Sequence, residues 1–368
     1  TDMAPDVSLE VYAITNSVDF VNAISQIIQR GEANVISISL GFPTLGGDGT
    51  TGYFRDGTSH VAQAVDLARN AGIVVVSAAG NDGNRHWYGS YGPSEMVSPD
   101  DIGLTGYQSV MEFASENTGS MNVCLPISHN SLTMMSWDDW YTSSRNYDLF
   151  LYDGTMSNIL RDSRANQNEI PGIPLERIYG STINSACLVI ASYNSTQNHN
   201  FHVYSVGGSI NDTLGVSGHS VSTPADTINA ITVGAINYND NSLESFSSRG
   251  PTDDGREKPE ICGYDKVQTG VSLFNPFAGT SSAAPHVAGG ISLLFSAFPS
   301  YSADTIEGMM LENAKTGTYA DSNLCGAGVI SLLNITNQTI SGENTNQTNT
   351  QVNPYQLTID NIIAPNNG

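Results

Sequence analysis

The chain has 368 residues, with 36 aspartates and glutamates against 13 lysines and arginines, a formal net charge of -23. Such an acidic balance repels polyanions, which argues against nucleic acid and anionic membrane surfaces as partners. No apolar run approaches the ~20 residues of a membrane span, and the length predicts about two domains with a sizeable core.

In chain order, residues 7–15 read as a strand. Asn16 or Ser17 then caps a helix whose apolar face is Val21, Ile24, Ile27 and Ile28, stopped at Gly31. A buried strand is predicted over 35–40 and a helix over about 59–71, ended by Gly72. Another buried strand follows over 73–77. Apolar strands alternating with helices predict an α/β fold, a parallel sheet covered by helices on both faces. From about 92 to 222 the helical period disappears. Short alternating runs replace it over 132–137, 147–152, 186–193 and 201–206, with Asp153-Gly154 as a turn signal. This stretch reads as an inserted all-β domain of the sandwich type. The first pattern resumes with a strand near 228–235. A helix follows from about Ala283 to Phe298, and another is capped by Ser302 and runs to about Ala314. The division expected is 1–91 and 223–335 for the interrupted α/β domain, and 92–222 for the insertion. Residues 336–368 read as an Asn/Thr-rich linker with a further β element starting near 355–364.

The chemistry concentrates in the stretch from Gly279 to Gly290, Gly-Thr-Ser-Ser-Ala-Ala-Pro-His-Val-Ala-Gly-Gly. Ser281 falls where a helix begins, so its hydroxyl projects among free backbone N–H groups. Pro285 is expected in the first turn, where its missing N–H is harmless. Gly-Thr-Ser alone would read as an ordinary helix cap. The twelve residues together resemble the nucleophile segment of the subtilisin-like serine peptidases (subtilases).

That resemblance implies Ser281 as nucleophile, with His286 as a packing residue. Ser77-Ala78-Ala79-Gly80-Asn81-Asp82-Gly83 resembles the family's oxyanion segment, which gives Asn81 the side-chain donor role beside the Ser281 N–H. Ser39-Leu40-Gly41 is similar to the edge along which the family pairs an extended substrate. Ala78, Ala79 and Gly80 would line the primary specificity pocket, with Thr280 also at the substrate site. Phe246 to Pro251, Lys258 to Ile261 and a closing strand at 326–330 also match, but the usual Ala-Pro-Gly is replaced by Cys262-Gly263-Tyr264. The run 147–153 looks like jelly-roll modules attached to secreted peptidases. A structural calcium ion is the one cofactor considered, with Asp138, Asp139, Asp148 and Asp153 as candidate ligands and a solvated acidic loop preferred. No metal site is otherwise implied.

The family's catalytic Asp and His precede all of this, and Met3-Ala4-Pro5 aligns with the segment after the histidine helix. The expectation is an N-terminally truncated piece of a secreted endopeptidase. Its partners are a polypeptide substrate and a missing segment carrying Asp and His, and the chain alone is expected to be inactive. The alternative is a non-catalytic pseudoenzyme that binds peptides. His60 imitates the family's histidine motif in the wrong helix, and His86 is the histidine expected nearest the cleft. An extracellular or cell-surface location fits a chain only 13% charged, with sequons at Asn194, Asn211, Asn334, Asn337 and Asn346. The four cysteines allow three pairings. A within-domain arrangement, Cys124 with Cys187 and Cys262 with Cys325, is preferred.

Overall fold

A computed structural model describes residues 3–42, 55–114, 121–139, 145–166, 173–193, 199–270, 272, 275–315, 319 and 321–333. The linker and further β element expected beyond 335 lie outside the described residues, as do the sequons at 194, 334, 337 and 346.

The first helix, α1 (Ser17–Arg30), begins as its cap residues dictate. The Asn16 side chain accepts from the Asp19 N–H, and Gly31 ends the helix at φ 65. Strand β1 (Val35–Ile38), helix α2 (His60–Asn70, capped by Ser59) and strand β2 (Val74–Ala78) follow. With β13 (Ala230–Asn237) and β14 (Ile261–Asp265), these strands form a parallel sheet of order β1-β2-β13-β14. The side-chain alternation of β2 divides the core in two. Ile73 and Val75 pack with Phe20, Ile24, Val61 and Val65 of α1 and α2. Val74, Val76 and Ala78 pack with Ala284, Val287, Ile291, Ile306 and Met310. That second face is covered by α3 (Thr280–Ala297) and by α4 (Ala303–Glu312), with Ser302 as its N-cap. A short helix α5 (Ser322–Cys325) follows, and the expected closing strand reduces to bridges from Val329 to Cys262 and to Lys315.

Residues 7–15 are not a strand. Their apolar residues alternate as a strand's would, but Val7, Leu9 and Val11 are 41%, 69% and 81% exposed. Among the described residues no strand pairs with this segment, and none lies on the outer side of β1. Period alone does not make a strand where no ladder is available to satisfy its backbone.

The remaining strands form the all-β part. They are β3 (His86–Ser90), β4 (Ser109–Val110), β5 (Phe113–Ala114), β6 (Met121–Asn122), β7 (Leu125–Trp137), β8 (Tyr147–Asp153), β9 (Ile159–Ser163), β10 (Leu175–Ser192), β11 (Asn200–Val206) and β12 (Ser209–Ile210). Eight of them join one antiparallel sheet with the path β3-β11-β7-β10-β8-β9; β12 pairs β7, and β4 pairs β10. Its first strand starts at His86, ahead of the boundary read at residue 91. The two long strands β7 and β10 carry register shifts between Gly180 and Ile183 and between Ile183 and Ala186. Irregularities of this kind bend a sheet. One face buries Trp87, Phe113, Trp137, Tyr147 and Phe201, the other Phe150, Tyr152, Cys187 and Val189. The chain leaves the parallel sheet after Ala78 and returns at Ser222, whose N–H donates to the Ala79 carbonyl at 2.9 Å. Disulfides join Cys124 to Cys187 within the all-β part and Cys262 to Cys325 within the α/β part.

Candidate active site

The segment after β2 turns sharply at Gly80, whose φ of 113 favours glycine. A side chain there would also strike the hydroxyls of Ser248 and Ser222, 2.8 and 3.0 Å from a Cβ. This turn delivers Asn81 to the start of α3. Asn81 Oδ1 accepts two hydrogen bonds from Thr280, from its N–H at 2.9 Å and its hydroxyl at 3.0 Å. The Gly80 N–H in turn donates to Thr280 Oγ1 at 3.2 Å. With its oxygen so occupied, the Asn81 side chain presents its NH2 outward, and no acceptor holds that group among the described residues.

Ser281 is the second residue of α3, which has Gly279 as its cap. Pro285 therefore falls in the second turn, not the first. Proline has no N–H for the carbonyl four residues earlier, and that carbonyl belongs to Ser281. The hydroxyl of Ser39 takes the vacant place, donating to Ser281 O at 3.0 Å. The bond is reciprocated, because Ser281 Oγ donates to Ser39 O at 3.0 Å. One residue of the substrate-edge motif is thus fastened to the nucleophile candidate on both its backbone and its side chain. The backbone groups of Leu40 and Gly41 make no backbone hydrogen bond among the described residues. That leaves them open to an added strand. Phe42 closes the segment by donating its N–H to Thr223 O at 2.7 Å.

Ser39, Leu40, Gly41, Gly80, Asn81, Thr280 and Ser281 are thereby brought together by three separate stretches of chain. Ala78 and Ala79 stand beside them but are buried, so Gly80 alone of that strand end presents surface. Sequence reasoning missed Ser222, which backs both Gly41 and Gly80. It also missed Asp265 at the end of β14, whose carboxylate accepts from the Gly279 N–H at 2.7 Å. The displaced Ala-Pro-Gly signal marked that place without saying what filled it.

His86 does not belong to this group. It is fully buried, with Nδ1 on Val216 O at 2.8 Å and Nε2 on His202 Nδ1 at 2.9 Å, and His202 Nε2 continues to Asp253 at 2.9 Å. Burial, with His202 and Arg55 nearby, pushes the His86 pKa well below its ordinary value. His286 is in α3, its ring bonded to Ser282 O at 2.9 Å. None of the chain's seven histidines is hydrogen-bonded to Ser281.

The aspartates considered for calcium are engaged by separate protein donors. Asp138 holds His199 and Asn200, Asp148 holds Tyr107 and Asn146, and Asp153 caps a turn at Thr155, Ser157 and Asn158. Asp139 has one buried oxygen with no donor. Among the described residues no group of three or more His, Cys, Asp or Glu could hold a metal ion, and no helix is long and apolar enough to cross a membrane.

A family model described as the subtilase family matches residues 3–168 and 164–328. Serine protease AprX of Bacillus subtilis (strain 168) is 29% identical over 143 residues, which are 33% of this chain and 32% of AprX. Subtilisin-like protease SBT6.1 of Arabidopsis thaliana is 39% identical over 92 residues, 22% of this chain and 8% of that protein. The match thus spans a third or less of these curated relatives. The structure of the Clostridium perfringens CspB protease is similar with a TM-score of 0.55 at 18% identity, over 91% of this chain and 74% of that chain. At that identity the likeness is one of fold.

Proposed function

Because the chain belongs to the subtilase family, we propose that it is the nucleophile-bearing part of a secreted serine endopeptidase. Ser281 Oγ attacks the scissile carbonyl of a polypeptide. The Asn81 NH2 and the Ser281 N–H receive the oxyanion, in a site already built before charge develops. The substrate lies extended along Ser39, Leu40 and Gly41 as an added strand. The side chain before the cleaved bond enters beside Gly80, with Ala78, Ala79 and Thr280 forming the layer behind.

One observation carries this reading. Asn81 spends its oxygen on Thr280, the residue before Ser281, and keeps its donor group free. An asparagine serving only a turn would have no need to be tied to that residue.

Attack also needs a base for the Ser281 proton. In the described structure the hydroxyl donates to Ser39 O, a carbonyl too weakly basic to take the proton. The base is therefore assigned to a histidine oriented by an aspartate, both on a segment outside these 368 residues. The outer side of β1 and the alternating, exposed Val7, Leu9 and Val11 fit a missing neighbour of strand form. The two disulfides support an oxidising, extracellular setting.

The test is to assay peptide cleavage with and without a base-bearing segment, co-expressed or fused upstream. The chain alone should fall short by about 10⁶ in kcat, the loss on removing the base in subtilisin, a relative. It should also aggregate more readily. Efficient cleavage by the chain alone would refute the assignment of the base. Full binding of peptides with no cleavage in either form would favour the pseudoenzyme.

A further inference from the structure

We propose that Asp265 is a positioning residue for the nucleophile, fixing the neck of the loop that leads into Ser281. The proposal rests on the reading of Ser281 as nucleophile. The loop runs from the end of β14 to the start of α3. Its two arms are bridged by the Phe277 N–H donating to Val267 O at 2.9 Å. Beyond that bridge the arms are also joined by the Asp265 carboxylate and the Gly279 N–H at 2.7 Å. Gly279 caps α3 with φ 115, a conformation that side-chain-bearing residues rarely adopt, and a Cβ there would stand 3.1 Å from Asn81 Nδ2. This backbone is held in place from outside.

Three consecutive residues are each held by a different segment. Asp265 holds Gly279, Asn81 holds Thr280, and Ser39 holds Ser281. The second and third holds use residues of the oxyanion loop and the substrate edge. The first uses a residue with no other evident task. Asp265 is completely buried, and its second oxygen has no hydrogen-bond partner among the described residues. Burial pushes its carboxyl pKa up, while the Lys266 and Gly279 N–H groups pull it down. A buried carboxylate with one oxygen orphaned is a costly way to close a loop, and a neutral acceptor would suffice for closure alone. What the charge adds is a shorter and stronger bond to one N–H. It also places an anion against the N-terminal end of α3, where the helix dipole favours it. Both effects stiffen the approach to Ser281.

Loosening that neck should misplace Oγ relative to the bound carbonyl and leave the substrate edge at Ser39 to Gly41 untouched. Displacements near 1 Å cost up to about 10²-fold in rate. The experiment uses the complete protease with its base-bearing segment and compares Asp265→Ala, Asp265→Asn, Asp265→Ser and Ser281→Ala. Asp265→Ala should lower kcat by about tenfold to a hundredfold with KM within about twofold. Asp265→Asn, which keeps an acceptor for Gly279 but loses the charge, should recover the part of that loss carried by the hydrogen bond itself, with kcat between those of Asp265→Ala and the parent. An unchanged kcat in Asp265→Ala, or a change confined to KM, overturns the proposal while Ser281→Ala still abolishes cleavage. If Ser281→Ala leaves cleavage intact, the nucleophile reading fails first and this proposal falls with it. Where Asp265→Ala does not fold, the other two variants decide. A kcat in Asn higher than in Ser, whose hydroxyl is too short to reach Gly279, supports the role; equal kcat in both overturns it.

Discussion

Replacing Asn81 separates what its two side-chain atoms do. In Asn81→Ala the Thr280 N–H loses its only acceptor. Thr280 is 1% exposed, so the cost of an orphaned buried donor applies, about 1–3 kcal/mol. The Thr280 hydroxyl loses its acceptor too, but it still accepts from Gly80 and can rotate. On the proposed function the oxyanion donor is lost as well, which costs about 10²–10³ in kcat when the corresponding donor is removed in subtilisin. Asn81→Asp is nearly isosteric and keeps the oxygen that Thr280 needs. It exchanges the NH2 for an anionic oxygen facing the place where negative charge develops. Its kcat should fall at least as far as that of Asn81→Ala, while its stability stays within about 1 kcal/mol of the parent. The assay pairs urea unfolding with steady-state cleavage in the complete protease. If Asn81→Asp keeps kcat within about tenfold of the parent, the Asn81 NH2 is not an oxyanion donor, and the reasoning above is wrong.

Other consequences follow from the same contacts. Cys262–Cys325 and Cys124–Cys187 each close a loop of 63-residue separation, so replacing either pair by alanine should cost about 4 kcal/mol in urea unfolding; a loss under about 1 kcal/mol would contradict the cross-link account. His86 and His202 are both held below their ordinary pKa by burial, so each takes a proton less readily in the fold than once unfolded. Their stabilisation is complete above about pH 6.5 and is lost as pH falls below it. Asp226, pushed up to about 6 by burial, takes up a proton in the fold and opposes this trend below pH 6. Asp253, which burial would raise, is held far below the carboxylate range by His202, His219 and Arg55 and stays ionised. The melting temperature should therefore stay level from pH 8 to about 7 and begin to drop as the pH falls from about 7 to 6, and less so in His202→Gln; equal slopes in the two proteins would refute it. Ser39→Ala should leave the Ser281 carbonyl unpaired beside Pro285, weakening the first turns of α3 by about 1 kcal/mol, measurable as faster amide exchange there and absent if water takes over the bond.

Local rules were legible in the sequence where local chemistry decides. Asn16, Gly31, Ser59 and Ser302 bound their helices because a side-chain acceptor or a left-handed backbone is enough to start or stop one. The apolar runs of β1, β2 and β13 announced a sheet buried on both faces. The segments carrying Ser39, Asn81 and Ser281 lie in contact, each at the end of a regular element. Three things were hidden, each depending on distant partners. The alternation of Val7, Leu9 and Val11 promised a strand, but pairing needs a second chain segment. His86 is the histidine the sequence places nearest the cleft, and only the return of Val216 and the pairing of β3 with β11 reveal that both its ring nitrogens are occupied. Asp265 stood in an unrecognised turn, and its meaning comes from Gly279, fourteen residues on.

The most direct measurement is covalent labelling of the complete protease with an organophosphonate probe, followed by peptide mapping. The account predicts one adduct, on the Oγ of Ser281, formed slowly or not at all without the base-bearing segment. The adduct and all peptide cleavage should be lost together in Ser281→Ala. An adduct on another residue, or cleavage that persists in Ser281→Ala, would contradict it.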